Sequence, residues 1–173
     1  LGFGRRVHSL AAGVIASVVF LSTPWIVSLA ILGYNEGPVP MYALLAIYAI
    51  WLAGQQGEIS TSNRLTALSG FCAGSAVACK YPPLLFLVVP LLLWVAAHWC
   101  FPFVWSFASR SRFDFKSTLR HTLVFLVAAV AGCGLWFAKN AALTANPTYP
   151  LLYSLFDGRT RTPEKDRQWT RVH

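Results

Sequence analysis

The chain has 173 residues, of which 56% are hydrophobic and 12% are charged, and its mean hydropathy is +0.55. This balance excludes an ordinary soluble domain, in which about 25% of residues are charged, and it predicts a protein that lies in lipid. The net charge of +8 does not indicate a nucleic-acid-binding protein, because the basic residues are spread over several loops rather than clustered beside stacking aromatic residues. We expect no nucleic-acid partner, and anionic lipid head groups are sufficient partners for these basic residues.

Five apolar segments are candidates for membrane-spanning helices. A spanning helix needs about 20 apolar residues, because the hydrocarbon core is about 30 Å thick and a helix rises about 1.5 Å per residue. Two of the segments are short, so each is a thin span, a helix extended by its flanks, or a re-entrant segment, and we interpret both as spans. The sequence therefore predicts an all-α fold, a polytopic transmembrane helix bundle of about five spans near residues 10–33, 39–54, 65–80, 82–107 and 119–139.

The predicted helical domain covers residues 1–156, and its last part, 147–156, is predicted to be an interfacial segment. Residues 157–173 are polar and mixed in charge, so we interpret them as the start of an extracytoplasmic tail. The chain begins without methionine and stops inside this tail. We therefore expect it to be a piece of a longer protein.

The distribution of lysine and arginine predicts the orientation, because short loops rich in these residues tend to stay in the cytoplasm. Placing the N-terminus inside puts most basic residues of the short loops on the cytoplasmic side. Loop 34–40, turn 80–83 and everything after residue 139 then lie on the extracytoplasmic side. These three segments should face one another.

Prolines, which break helices, and small residues predict where the helices end and how they pack. Pro24 and Pro90 lie inside predicted spans and should kink them. The run KYPP at 80–83 predicts a sharp helical hairpin, since proline disfavours helix at the residue before it and suits the first position of the next helix. Gly70 and Gly74 form a GxxxG pattern, which favours close packing on another helix.

Three charged residues are predicted at the extracytoplasmic ends of helices. Glu36 could coordinate a metal, act as a general base or orient an acceptor, or it could be a solvated loop carboxylate. Lys80 and Lys139 could neutralise the phosphate of a lipid-linked substrate, or they could simply extend their ammonium groups to water. Spacing alone leaves these alternatives open.

Short motifs resemble one family of membrane enzymes. The sequences WFAKN at 136–140 and TANPTYPLL at 144–152 resemble the stretch WYLRN … TGNPVYP of polytopic GT-C glycosyltransferases. Residues 70–83, which end in CKYPP, are similar to the helix GLxxGLAxxTKYT of the same group. The likeness is strongest to the bacterial branch related to protein mannosyltransferases and lipid A aminoarabinose transferases.

The resemblance implies the transfer of a sugar from a polyprenyl-phosphate donor to a lipid, glycan or protein acceptor, at the extracytoplasmic face of a bacterial cell membrane. It leaves open whether a divalent cation takes part, and it does not imply an oligomeric state. Lys139 stands where the family has arginine. A lysine offers a phosphate a point charge instead of the bidentate contact of an arginine. The resemblance implies catalytic positions at Glu36 and Asn35, and substrate-binding positions at Lys80, Tyr81, Lys139, Asn140, Asn146 and Tyr149.

The family's leading catalytic aspartate lies in an earlier outside loop, which the chain does not contain, so we expect this piece to be inactive alone. Two other classes remain open. A lipid or solute transporter would show broken, paired half-helices. In a non-catalytic membrane subunit, Glu36 and the two lysines would have no chemical role.

Overall fold

The computed structural model describes residues 1–32, 34, 36–100, 115–156, 159 and 162–172. Within these ranges the chain forms helices joined by turns, without a β-strand, which confirms the all-α prediction. The helices are α1 (Gly2–Val7), α2 (Leu10–Ser22), α3 (Pro24–Leu32), α4 (Pro38–Ala53), α5 (Ile59–Cys79), a π-helical turn (Leu84–Val88), α6 (Val89–Cys100), α7 (Phe115–Thr144), α8 (Tyr153–Phe156) and α9 (Pro163–Val172).

The segment predicted as a first span is broken at Thr23 into α2 and α3, which are bent by 61° relative to each other. Pro24 explains the break, because proline pushes the residue before it out of helical geometry, and Thr23 is extended with ψ of 117°. The predicted kink is therefore present. It is sharp enough to make two helices.

By length and composition, α7 is the only helix of the described ranges that could cross a membrane alone. It has 30 residues, which corresponds to about 45 Å of helix. The helices α2 and α3 qualify only if the bent pair counts as one span, and the apolar helices Pro38–Ala53 and Leu84–Ala97 are shorter. The five predicted spans remain a prediction, and residues 101–107 of the fourth lie outside the described residues.

The centre of the bundle is α5, which packs between α4 and α7. It runs antiparallel to α4, as two side-chain hydrogen bonds show: Ser69 Oγ donates to the Ala46 carbonyl at 2.8 Å, and Ser62 Oγ donates to the Ala53 carbonyl at 3.1 Å. The apolar core lies around this contact. It contains buried residues of α4, α5, the π-helical turn, α6 and α7, including Ala46, Ile50, Ala73, Val77, Leu87, Val95 and Phe125.

The helices α5 and α7 touch through their backbones. A Cβ atom on Gly70 would overlap the carbonyl of Phe125, one on Gly74 would overlap the carbonyl of Ala129, and one on Gly132 would overlap the carbonyl of Phe71. From the first pair to the second, the contact advances by four residues along both helices, so α5 and α7 run parallel. The GxxxG prediction of a close helix contact is confirmed.

A buried histidine links the three central helices at the end opposite to the α5–α6 hairpin. His121 of α7 is fully buried, and its Nδ1 lies 2.8 Å from the Ser117 carbonyl. A carbonyl only accepts, so Nδ1 carries a proton and donates it. The other ring nitrogen, Nε2, lies 3.2 Å from Ser62 Oγ. Since Ser62 also bonds to Ala53 of α4, one serine joins α4, α5 and α7.

The predicted hairpin after α5 is present. Helix α5 ends at Cys79, and Lys80 is extended with ψ of 141°. The turn then leads through Pro82 and Pro83 into the π-helical turn, and the chain returns as α6. Lys80 and Tyr81 are thus displayed at the end of the bundle.

Replacing Gly74 with alanine should destabilise the fold by about 1–3 kcal/mol, because the added methyl group overpacks a backbone contact. Gly134→Ala is the matched control, since its Cβ would meet open space on α7. That variant should be neutral or more stable by up to about 1 kcal/mol, because alanine is the better helix former. Unfolding in mixed micelles with increasing dodecyl sulfate, followed by circular dichroism, measures both. Equal midpoints would contradict the close contact of α5 and α7.

Candidate functional site

Three segments that are far apart in the chain meet at one end of the bundle. They are the turn before α4, the hairpin after α5, and the end of α7 with the loop 145–152. The parallel contact of α5 and α7 explains the meeting, because their carboxyl-terminal ends must then lie at the same end. Most of the residues that the sequence predicts for the site lie here. Asn35 lies outside the described residues.

An ion pair joins the first two segments. Lys80 Nζ donates to Glu36 Oε1 at 2.7 Å, and the two side chains are 51% and 40% exposed, respectively. The hydrogen bond from the Lys80 ammonium group lowers the pKa of Glu36 below its ordinary value, with help from a backbone hydrogen bond. Glu36 is therefore ionised at neutral pH. An exposed ion pair of this kind contributes little to the stability of the fold. Its effect is to hold the two charged groups next to each other.

Tyr81 connects the hairpin to α7 and to the loop after it. Its hydroxyl donates to the Tyr149 carbonyl at 2.8 Å. The same oxygen accepts hydrogen bonds from Asn140 Nδ2 at 3.3 Å and from Trp136 Nε1 at 3.4 Å. One hydroxyl group thus uses both its donor and its acceptor capacity to hold three parts of the site together.

Lys139 and Asn140 are neighbours in α7 but have different surroundings. Asn140 is buried, and its amide group also donates to the Pro147 carbonyl at 3.4 Å. Lys139 is exposed, and its ammonium group lies 4.7 Å from the centroid of the Trp136 ring. This cation–π contact holds the positive charge beside Trp136 while leaving it accessible to solvent.

Asn146 organises the loop after α7. Its side chain is fully buried and donates from Nδ2 to the Leu151 carbonyl at 2.9 Å. Its Oδ1 accepts from the Thr148 backbone amide at 2.9 Å and from the Thr148 hydroxyl at 3.0 Å. These contacts give Asn146 a structural part in the site. Its predicted contact with substrate remains a prediction, as does that of Tyr149, which is observed to contribute a backbone carbonyl.

A groove of about 690 Å³ opens beside these residues. Its wall is almost entirely apolar, and the exposed Leu84 and Leu85 of the π-helical turn form one side of it. Lys80, Tyr81 and Trp136 line the groove together with Pro150 and Leu151 from the loop. The site therefore combines an apolar groove with the positive charge of Lys80.

The site offers few ligands for a metal ion. Glu36 is a possible oxygen ligand, but it already accepts a hydrogen bond from Lys80. Among the residues that the structure describes, no three His, Cys, Asp or Glu side chains are grouped closely enough to hold a metal ion.

The site also contains Trp136 and backbone carbonyls of the loop 145–152, which the sequence analysis did not name as site residues. The spacing of Trp136, Lys139 and Asn140 is i, i+3 and i+4, which puts them on neighbouring parts of one helix face. That spacing was a usable signal for Trp136. The loop carbonyls had no such signal, because every residue carries one.

No protein-family model matches this chain, and no curated protein or solved structure is significantly similar to it. The resemblance to GT-C glycosyltransferases therefore stays a prediction from the short motifs at residues 70–83, 136–140 and 144–152.

Tyr81→Phe should loosen the loop 145–152, because it removes the hydroxyl group that bonds to the loop and to α7. We expect faster amide hydrogen exchange in the loop, by about fivefold, since one well-formed hydrogen bond contributes about 1 kcal/mol. Tyr48→Phe is the control, because the ring of Tyr48 in α4 keeps its contacts with Phe3 of α1 and with Trp51. Unchanged exchange of the loop amides in Tyr81→Phe would show that the hydroxyl group does not hold it.

Proposed function

We propose that the protein is a polytopic membrane glycosyltransferase of the GT-C type. It moves a sugar from a polyprenyl-phosphate donor to a lipid, glycan or protein acceptor at the extracytoplasmic face of a bacterial cell membrane. The observation that carries this proposal is the apolar groove with Lys80 at its edge and Lys139 beside it on Trp136. An isoprenoid phosphate has the matching chemistry, an apolar chain that ends in an anion.

The location in a membrane is supported by the outer surface of the helices. Many large apolar side chains face outward, among them Leu135 of α7, which is 85% exposed, and Leu85, which is 75% exposed. Exposed apolar surface of this extent is unusual for a soluble monomer and is expected for helices in lipid. The proposal keeps the five spans, with the site at the outer end of the bundle.

The proposed reaction is a single displacement at the anomeric carbon of the sugar. An acceptor hydroxyl or amide attacks this carbon, the bond from the carbon to the phosphate oxygen breaks, and the lipid phosphate leaves with the electron pair. Lys80 and Lys139 would stabilise the charge that develops on the leaving phosphate. The resemblance assigns the aspartate carboxylate that takes the acceptor's proton to an earlier outside loop, and Glu36 would position Lys80 or the acceptor.

Lys80→Met should lower sugar transfer by about 10²–10³-fold, because it removes a charge that faces the leaving group while keeping the length of the side chain. The natural full-length protein in lipid nanodiscs is tested with a panel of radiolabelled polyprenyl-phosphate sugars. Lys116→Met, at the opposite end of α7, is the matched control and should keep full activity. Full transfer by Lys80→Met would contradict the proposed site.

A transporter is the second candidate, and the 61° break between α2 and α3 favours it, because broken helices are common in transporters. The same nanodisc and vesicle preparations distinguish the two functions. A transferase attaches the labelled sugar to an acceptor. A transporter moves the intact labelled lipid across sealed vesicles and forms no new glycosidic bond.

Cysteine labelling tests the proposed sidedness. Tyr34 and Leu152 are more than half exposed at the end of the bundle that carries the site, and Gly57 lies in the connection at the other end. In a background with the four native cysteines replaced, Tyr34→Cys and Leu152→Cys should react with an impermeant maleimide from the same side of sealed vesicles. Gly57→Cys should react only from the opposite side. Labelling of all three from one side would refute the spanning topology.

A further inference from the structure

A carboxylate, Glu36, is paired with the lysine of the groove. Binding of an anion does not require such a carboxylate. Glu36 lies 2.7 Å from Lys80, so the ammonium group presents its charge to any ligand together with an equal negative charge. Both side chains are about half exposed, and the pair lies at the edge of an apolar groove that Lys80 itself lines. A headgroup that binds Lys80 must therefore share it with Glu36.

Repulsion from Glu36 depends on the charge of that headgroup. A phosphodiester carries one negative charge, whereas a phosphomonoester carries between about 1.5 and 2 at pH 7, because its second pKa is about 6. Coulomb repulsion is proportional to the charge of the ligand, so Glu36 disfavours the monoester about twice as strongly in free-energy terms. Lys139, held beside Trp136, supplies additional attraction near the groove that the carboxylate does not cancel by direct contact.

We propose that Glu36 is a specificity-determining residue, which reduces the preference that Lys80 and Lys139 would otherwise give to a lipid phosphomonoester with two negative charges over a lipid phosphodiester with one. This inference rests on the proposed function. In a transferase of that kind the sugar donor is a phosphodiester and the lipid product is a phosphomonoester. Glu36 would weaken the binding of the spent lipid phosphate more than that of the donor, and would so favour release of the product from the same groove.

Binding of short probes to the full chain in nanodiscs of neutral phosphatidylcholine tests the proposal without any transfer reaction. The probes are farnesyl phosphate as the monoester, farnesyl methyl phosphate as the diester, and farnesol as the uncharged chain. Glu36→Gln should tighten binding of the diester by about 3-fold and of the monoester by about 10-fold at pH 7.5, as expected for one and two charges at a solvated distance of a few ångströms. Farnesol binding should not change.

The matched control is Glu58→Gln, which removes the exposed carboxylate at the start of α5, at the other end of the bundle. It should leave the affinities of all three probes unchanged. The pH dependence is a second readout. The tightening of monoester binding in Glu36→Gln should fall from about 10-fold at pH 8 to about 3-fold at pH 5, because the monoester then loses its second charge while Glu36 stays ionised next to Lys80.

The outcomes separate this proposal from the proposed function. If neither phosphate probe binds more tightly than farnesol in any variant, the groove is not a phosphate site and both proposals fail. If both phosphates bind but Glu36→Gln changes their affinities equally, the discrimination by charge fails while the transferase proposal stands. Weaker binding of both phosphates to Glu36→Gln would also overturn it, since Glu36 would then act only by positioning Lys80. Monoester binding that needs Mg²⁺ and is lost in Glu36→Gln would overturn it too, because Glu36 would then hold a metal ion.

Discussion

The direct backbone contact between α5 and α7 is the constraint on which the rest of the structure depends. Gly70 and Gly74 on one helix and Gly132 on the other leave no room for a Cβ atom, so the two helices can approach only along these faces. They run parallel, and a parallel pair needs a returning connection, which begins with the π-helical turn and α6. The same arrangement brings the end of α5 and the end of α7 together, and the candidate site lies there.

Within that site, the buried polar groups hold the loop in place, whereas the exposed charged groups face solvent. Asn140, Asn146 and the Tyr81 hydroxyl use their hydrogen bonds on neighbouring parts of the protein, so they build the loop and hold it against α7. Lys80 and Lys139 are exposed, and their contacts are an ion pair and a cation–π contact at the surface. Such contacts add little to stability, so the fold positions these charges without depending on them. This division leaves the lysines able to exchange partners with a ligand.

The arrangement of polar and apolar side chains in the bundle differs from that of a soluble domain. Thr66, Ser62, Ser69 and His121 lie inside, where the two serines and the histidine bond across helices, and leucines and valines cover much of the outside. Small and polar residues at helix contacts are the pattern that lipid favours, because apolar side chains gain nothing from leaving a hydrocarbon solvent. The membrane location is proposed on this physical basis, beyond the length of α7 alone.

Local features of this protein could be predicted from its sequence. The break at Pro24 and the hairpin at Pro82 act through steric rules that reach only to the preceding residue, and the all-α class follows from composition and apolar segment length. The sequence also identified a close-packing face on α5. Only the tertiary structure decided that α7 is its partner, that Glu36 pairs with Lys80 across 44 positions, and that the Asn146 side chain bonds within its own loop. These relations depend on how helices distant in the chain pack together, and spacing within a single segment carries no information about that packing.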